Sequence, residues 1–165
     1  MIGGLLPTFW HGLCTLGMVL DFNGLAHPEM TINFARPASP RILVASENPL
    51  EAQALETMLR AAQYDQVRAT TDLRHVPALF IKWRFRLLIL DMHAALIDST
   101  NIMTELAEPI RTGEMCVMGL INAGDENARL ATLAAGAVGV LIQPLGGAQT
   151  LPKIEQVLAT MRVDG

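Results

Sequence analysis

The chain has 165 residues, 51% hydrophobic and 17% charged. That suits one domain with a full core and argues against disorder. Twelve Lys/Arg stand against sixteen Asp/Glu, a formal charge of −4. No run of Lys/Arg supplies the basic footprint that nucleic-acid binding by this chain alone would need. Cys14 and Cys116 are too few and too far apart for a disulfide framework and read as thiols in a reducing compartment. No His/Cys spacing fits a zinc site.

Residues 1–40 read as an apolar arm and linker. Met1–Leu20 carries no charged side chain except His11 and lacks the positive start of a signal peptide. It is barely long enough to cross a bilayer, and Gly3, Gly4, Pro7, Gly12 and Gly17 weaken it as a helix. Four readings compete: a docked arm, a peripheral membrane anchor, a single span, and translation upstream of a start at Met30. The last, or a loosely ordered arm, is favoured, and a membrane is not expected as a partner. Phe34–Pro40 (FARPASP) is the linker.

From Arg41 to about 162, apolar strands and amphipathic helices alternate. Arg41–Ala45 is a strand, and Asn48-Pro49 caps a helix with Leu50, Leu55, Met58, Leu59 and Ala62 on one face. Gln66–Ala69 forms a second strand. Val76, Leu79, Phe80 and Trp83 share a helical face that Pro77 forces to start near His75 or to bend there. Leu87–Leu90 is the third strand, and Ser99–Ala107 a helix stopped by Glu108-Pro109. Cys116–Ile121 is the fourth strand, Asp125–Ala135 an Ala-rich helix ended by Gly136, and Val138–Ile142 the fifth strand. Ala148–Met161 closes the chain, burying Leu151, Ile154, Leu158 and Met161. GDENARL at 124–130 starts a helix and lacks the glycines of a phosphate loop. Five strands alternating with five helices predict an α/β fold with a parallel sheet covered on both faces. The expected topology is flavodoxin-like, strand order 2-1-3-4-5.

Ligands of open α/β sheets bind outside the carboxyl ends of the strands. Asp91 ends the third apolar run, and Ser46-Glu47 follows the first. The expected strand order brings Glu47 and Asp91 together. Two carboxylates there could hold a divalent cation through oxygen, and Asp91 could accept a phosphoryl group. Each residue also has a plainer reading: Asp91 as a strand-end polar residue, Glu47 as a solvated acid favouring a helix dipole, and His93 as an exposed loop residue.

RILVASENP at 41–49, LLILDMHAALIDS at 87–99 and GDENARLATLAAGAVGVLIQPL at 124–145 resemble the receiver domains of bacterial two-component response regulators. The resemblance covers about three quarters of the chain. The stretch VRATTDLRHVPALFIKWRFRLLILDMH looks closest to receivers fused to HD-GYP phosphodiesterases, and the QPL and LP pieces are similar to the pseudo-receivers of ANTAR antiterminators. The resemblance implies that Asp91 is the phospho-acceptor, with Asp98 the second acid before the third helix. It implies that Glu47, Asp91 and the backbone carbonyl of His93 are Mg²⁺ ligands. Four positions depart from the pattern. Ser46 replaces the first acid of the pair, Ile121 the Thr/Ser of the fourth strand, Val140 the aromatic switch and Gln143 the Lys before the last proline. Gln can donate a neutral hydrogen bond but cannot neutralise an acyl phosphate.

The expectation is therefore a non-enzymatic, cytoplasmic, degenerate receiver in phosphorelay signalling, working through protein–protein contact independently of phosphorylation. Mg²⁺ binding is expected to be weak, with no other cofactor. The partner would be a histidine kinase, an output protein or a second copy, held by the fourth helix, fifth strand and fifth helix as in the family. One alternative is a working receiver phosphorylated on Asp91 by a histidine kinase. Another is a small flavodoxin-like enzyme or nucleotide binder, disfavoured because no Gly-rich loop follows the first strand.

Overall fold

The computed structural model describes residues 39–93 and 96–163, without the side chains of 96–98 and 162–163. The arm, most of the linker and the side chain of Asp98 lie outside the described residues.

Five parallel strands form the sheet: β1 (Ile42–Ala45), β2 (Val67–Thr70), β3 (Leu87–Asp91), β4 (Cys116–Asn122) and β5 (Gly139–Gln143). Their order is β2-β1-β3-β4-β5, as expected. β1 and β3 are buried along their whole length, which is why both read as unbroken apolar runs rather than alternating ones.

Among the described residues, six helices connect and close the sheet: α1 (Pro49–Ala61), α2 (Val76–Trp83), α3 (Leu96–Glu105), α4 (Ala107–Arg111), α5 (Glu126–Ala134) and α6 (Gly147–Val163). Two local expectations change. The third helix starts earlier and is followed by the extra short α4, so Pro109 does not stop the helical path. Pro109 occupies the first turn of α4, where a missing N–H costs no helical hydrogen bond. Leu50, expected on the buried face of α1, is exposed, while Leu55 and Leu59 are buried as expected and Ala52 joins them.

Other local signals act as their chemistry dictates. Asn48 Oδ1 accepts from Leu50 N–H, with Pro49 in the first turn of α1. A 3₁₀ turn at Leu73–His75 leads into α2, so Pro77 sits near the helix start. Gly136 follows α5 with φ +104, a left-handed conformation that glycine adopts without steric cost.

Side chains alternate across a strand. Leu43, Ala45, Leu88, Leu90, Val117 and Ile121 enter a core that also takes residues of α2 and α3, with Ala128 of α5 and Ile110 of α4 packed against it. Ile42, Val44, Leu87, Ile89, Met118 and Leu120 enter the second core, under α1 and α6.

Candidate functional site

The β1–β3 ladder pairs Ala45 with Leu90, so the residues that follow, Ser46 and Asp91, stand level at the carboxyl edge. Both continue the series of side chains directed to the α1 face. Ser46 Oγ donates toward Asp91 Oδ2 at 2.9 Å and lies 3.1 Å from Glu51 Oε2. A hydroxyl carries one proton, so at any moment it serves one of the two carboxylates. Asn48 N–H donates to the same Oγ at 3.2 Å. Asp91 Oδ1 accepts from His93 N–H at 2.9 Å, and the Asp91 carbonyl accepts from Ser99 Oγ at 3.0 Å. Ser46 is wholly buried and Asp91 is 6% exposed, so the Ser46–Asp91 and Ser99–Asp91 bonds form out of water, where an unmade one is costly.

Glu51 was not foreseen. It lies in the first turn of α1, where an acid is favoured by the helix dipole, and its spacing from Ser46 carries it back over the strand end. Glu47, expected beside Asp91, follows the opposite alternation. It is exposed and lines a groove with Thr71, Asp72, Leu73 and Arg74 at the end of β2. In that groove Asp72 caps the 3₁₀ turn, and its hydrogen bonds from Arg74 hold its carboxyl below the usual range.

The same parity separates the remaining positions. Ile121 is buried in the core beneath α2 and α3, and Val140 packs against that core. Asn122, one residue further on, pairs with Gln143 across β4–β5. Asn122, Gln143, Pro144 and Leu145 line a groove of about 450 Å³ together with Glu51 and Ala54. Asn122 Nδ2 also lies 3.5 Å from Nδ1 of the exposed His93. Asn122 is thus a second polar residue of this edge that the sequence reading passed over. Alternation along β4 was the signal, since Met118 and Leu120 face α1 and α6.

The Mg²⁺ set implied by the resemblance does not fit this arrangement. A hydroxyl stands where the first acid would be, within hydrogen-bond distance of both nearby carboxylates. Among the described residues no three His, Cys, Asp or Glu side chains converge as metal ligands.

No family model matches the chain, and no curated protein gives a significant match. Solved structures do match. A protein described as a response regulator from Chloroflexus aurantiacus is 25% identical, with a TM-score of 0.65, over 73% of this chain and 98% of its own. A response regulator from Thermotoga maritima is 16% identical, with a TM-score of 0.64, over 73% and 98%. NtrX of Brucella abortus, solved with ATP, is 17% identical, with a TM-score of 0.67, over 76% of this chain but 28% of its own. With its 2-1-3-4-5 parallel sheet, helices on both faces and an aspartate ending β3 at the carboxyl edge, the described chain has the fold of the receiver domains of two-component response regulators.

Proposed function

We propose that this chain is a degenerate receiver that signals by protein contact, independently of phosphorylation at Asp91. The observation that carries the reading is the position of Ser46. Its hydroxyl donates to Asp91 with Glu51 as an alternative acceptor, putting a neutral donor in the place where a receiver would use a carboxylate and a cation. The other departures act in the same direction. Gln143 brings no positive charge to the edge, and the buried Ile121 brings no hydroxyl.

The contact surface consists of α5, β5 and α6. Leu130, Leu133, Val138 and Ile142 are 53%, 36%, 50% and 44% exposed, a run of apolar side chains on α5 and beside or within the edge strand β5. Apolar side chains grouped on one surface mark interaction sites. The partner is a histidine kinase, an output protein or a second copy.

A specific observation also supports the phospho-accepting alternative. Asp91 is retained at the strand end and oriented by His93 N–H. Intact mass after incubation with acetyl phosphate and Mg²⁺ decides between them. The proposal expects no adduct. A stable adduct on Asp91, with changed amide shifts along β5 and α6, would establish the alternative.

A further inference from the structure

The two outer strands of the sheet, β2 and β5, present different edges. Ile42 N–H donates to the Gln66 carbonyl and Ser46 N–H to that of Thr70, so alternation turns the Val67 carbonyl outward from β2. Arg60 Nη2 donates to that carbonyl at 2.6 Å, and the strand itself carries the exposed Arg68. Charged side chains of this kind blunt an edge against further pairing. β5 (GVLIQ) has none. From Leu130 to Pro152 the sequence contains no Asp, Glu, Lys, Arg or His.

The free side of β5 follows from the ladder. Cys116 N–H donates to the Arg86 carbonyl and Met92 N–H to that of Leu120, so the even-numbered residues of β4 bond β3, and Val117, Gly119 and Ile121 turn toward β5. Gly119 is in register with Val140 and Ile121 with Ile142. In a parallel ladder a residue bonds the two neighbours of its register partner. Gly139, Leu141 and Gln143 therefore bond β4, and Val138, just ahead of the strand, also donates to the Val117 carbonyl. The N–H and C=O groups of Val140 and Ile142 point off the sheet.

We infer that β5 pairs antiparallel with β5 of a second copy of this chain, about a two-fold axis at Leu141, joining two five-stranded sheets into one. This rests on the α5–β5–α6 contact surface and names its occupant. Centred on Leu141, the strand is complementary to itself, as an isologous interface requires. Val140 faces Ile142 of the copy at both symmetry-related places. Each pair exchanges both of its N–H···O bonds and sets two β-branched side chains together. Pro144, which has no N–H, falls just outside the ladder. Gly139 faces Gln143 of the copy. A Cβ at Gly139 would meet nothing nearer than Met118 Cε at 3.7 Å, and this space opens into a groove of about 380 Å³ where Lys153, Gln156 and Thr160 offer partners for a Gln amide. The charges agree with this pairing. Lys153 of one copy comes beside the carboxyl end of β5 of the other, where Gln143 shares a groove with Glu51. Glu155 lies off the stripe of α6 that lines the Lys153 groove. Glu126 pairs with Arg129 on α5, and Glu108 with Arg111 on α4.

The test is sedimentation velocity of the full chain over a concentration series, expected to show a reversible dimer. I142K sets a cation into each pairing, as edge lysines do, and should raise the dimer dissociation constant about a hundredfold or more. I81K, the same change at the exposed Ile81 of α2, should associate like the parent, and thermal melts verify that both variants are folded. The register is read by cross-linking in a C14S/C116A background. V140C mixed with I142C should form a disulfide dimer under copper phenanthroline, because bonded antiparallel partners stand about 5.5 Å apart at Cα, within disulfide reach. Neither variant alone should do so, its two cysteines being diagonal neighbours. A monomeric parent, equal loss in I81K and I142K, association unchanged by I142K, or no cross-link in the mixture would each overturn the inference. A monomeric parent whose Asp91 takes no phosphoryl group leaves the degenerate reading standing, so the two failures are distinguishable.

Discussion

Ser46 Oγ is hydrogen-bonded to Asp91 Oδ2 across two adjacent strands, and this bond sets the character of the site. It places a neutral donor against a buried carboxylate and gives that donor a second acceptor in Glu51. A bond to a charged group is worth about 1.5–3 kcal/mol. Ser46→Ala should therefore lower stability by about that amount in urea unfolding. Ser46→Cys, a weaker donor, should fall between the two.

Mg²⁺ should bind with a millimolar or weaker dissociation constant, the weak end of oxygen-ligand sites being about 10⁻⁴–10⁻³ M. Calorimetric titration measures it directly. Ser46→Asp with Gln143→Lys should raise beryllofluoride affinity in Mg²⁺ about tenfold or more, because charge-assisted bonds are worth roughly 1.5–3 kcal/mol. Adding Ile121→Thr should help less than a strand-end hydroxyl would, because position 121 is 2% exposed and lines the core. A hydroxyl buried there without a partner costs about 1–3 kcal/mol.

Gly119 has no room for a side chain. A Cβ there would collide with Thr132 Cγ2 and press on Met92 Cγ. Gly119→Ala should cost about 1–3 kcal/mol as an overpacked site. Gly119→Ala with Thr132→Ser should recover part of that loss.

Acid should weaken two surface features. Hydrogen bonds from Arg74 and Arg129 hold the Asp72 and Glu126 carboxyls below their usual range. Lowered folded-state values mean that both contributions are complete above the ordinary carboxylate range and are lost as pH falls through the lowered values. Carboxyl carbon shifts followed by NMR should place both titrations below those of the same residues in the urea-unfolded chain.

A chain beginning at Ser39 should unfold in a single cooperative thermal transition. Among the described residues, the two cores over the sheet are built from residues 42 to 161 and cover both of its faces. A broad, uncooperative melt would contradict this.

Strand order and most element positions were legible because apolar runs, Asn48-Pro49 and Gly136 act locally. The short α4 was not, because Pro109 has different effects inside a helix and in its first turn, and only packing decides which applies. Asp91 stood out as the polar end of an apolar run. Its partner did not, because Glu47 is adjacent in sequence to Ser46 but points the other way, while Glu51 reaches the cluster from a helix. Side-chain parity at a strand end depends on register, and register emerges only when β1 and β3 pair.

The close seating of α5 on β4 at Gly119 has a mechanical consequence. With Thr132 resting where a side chain would otherwise stand, helix and strand cannot slide past one another without a collision. A protein gripping Leu130 and Leu133 would therefore hold the strand that ends in Asn122. Influence between that outer surface and the acidic edge would pass through a stiff joint, and a bound partner would restrain the pocket by clamping its frame.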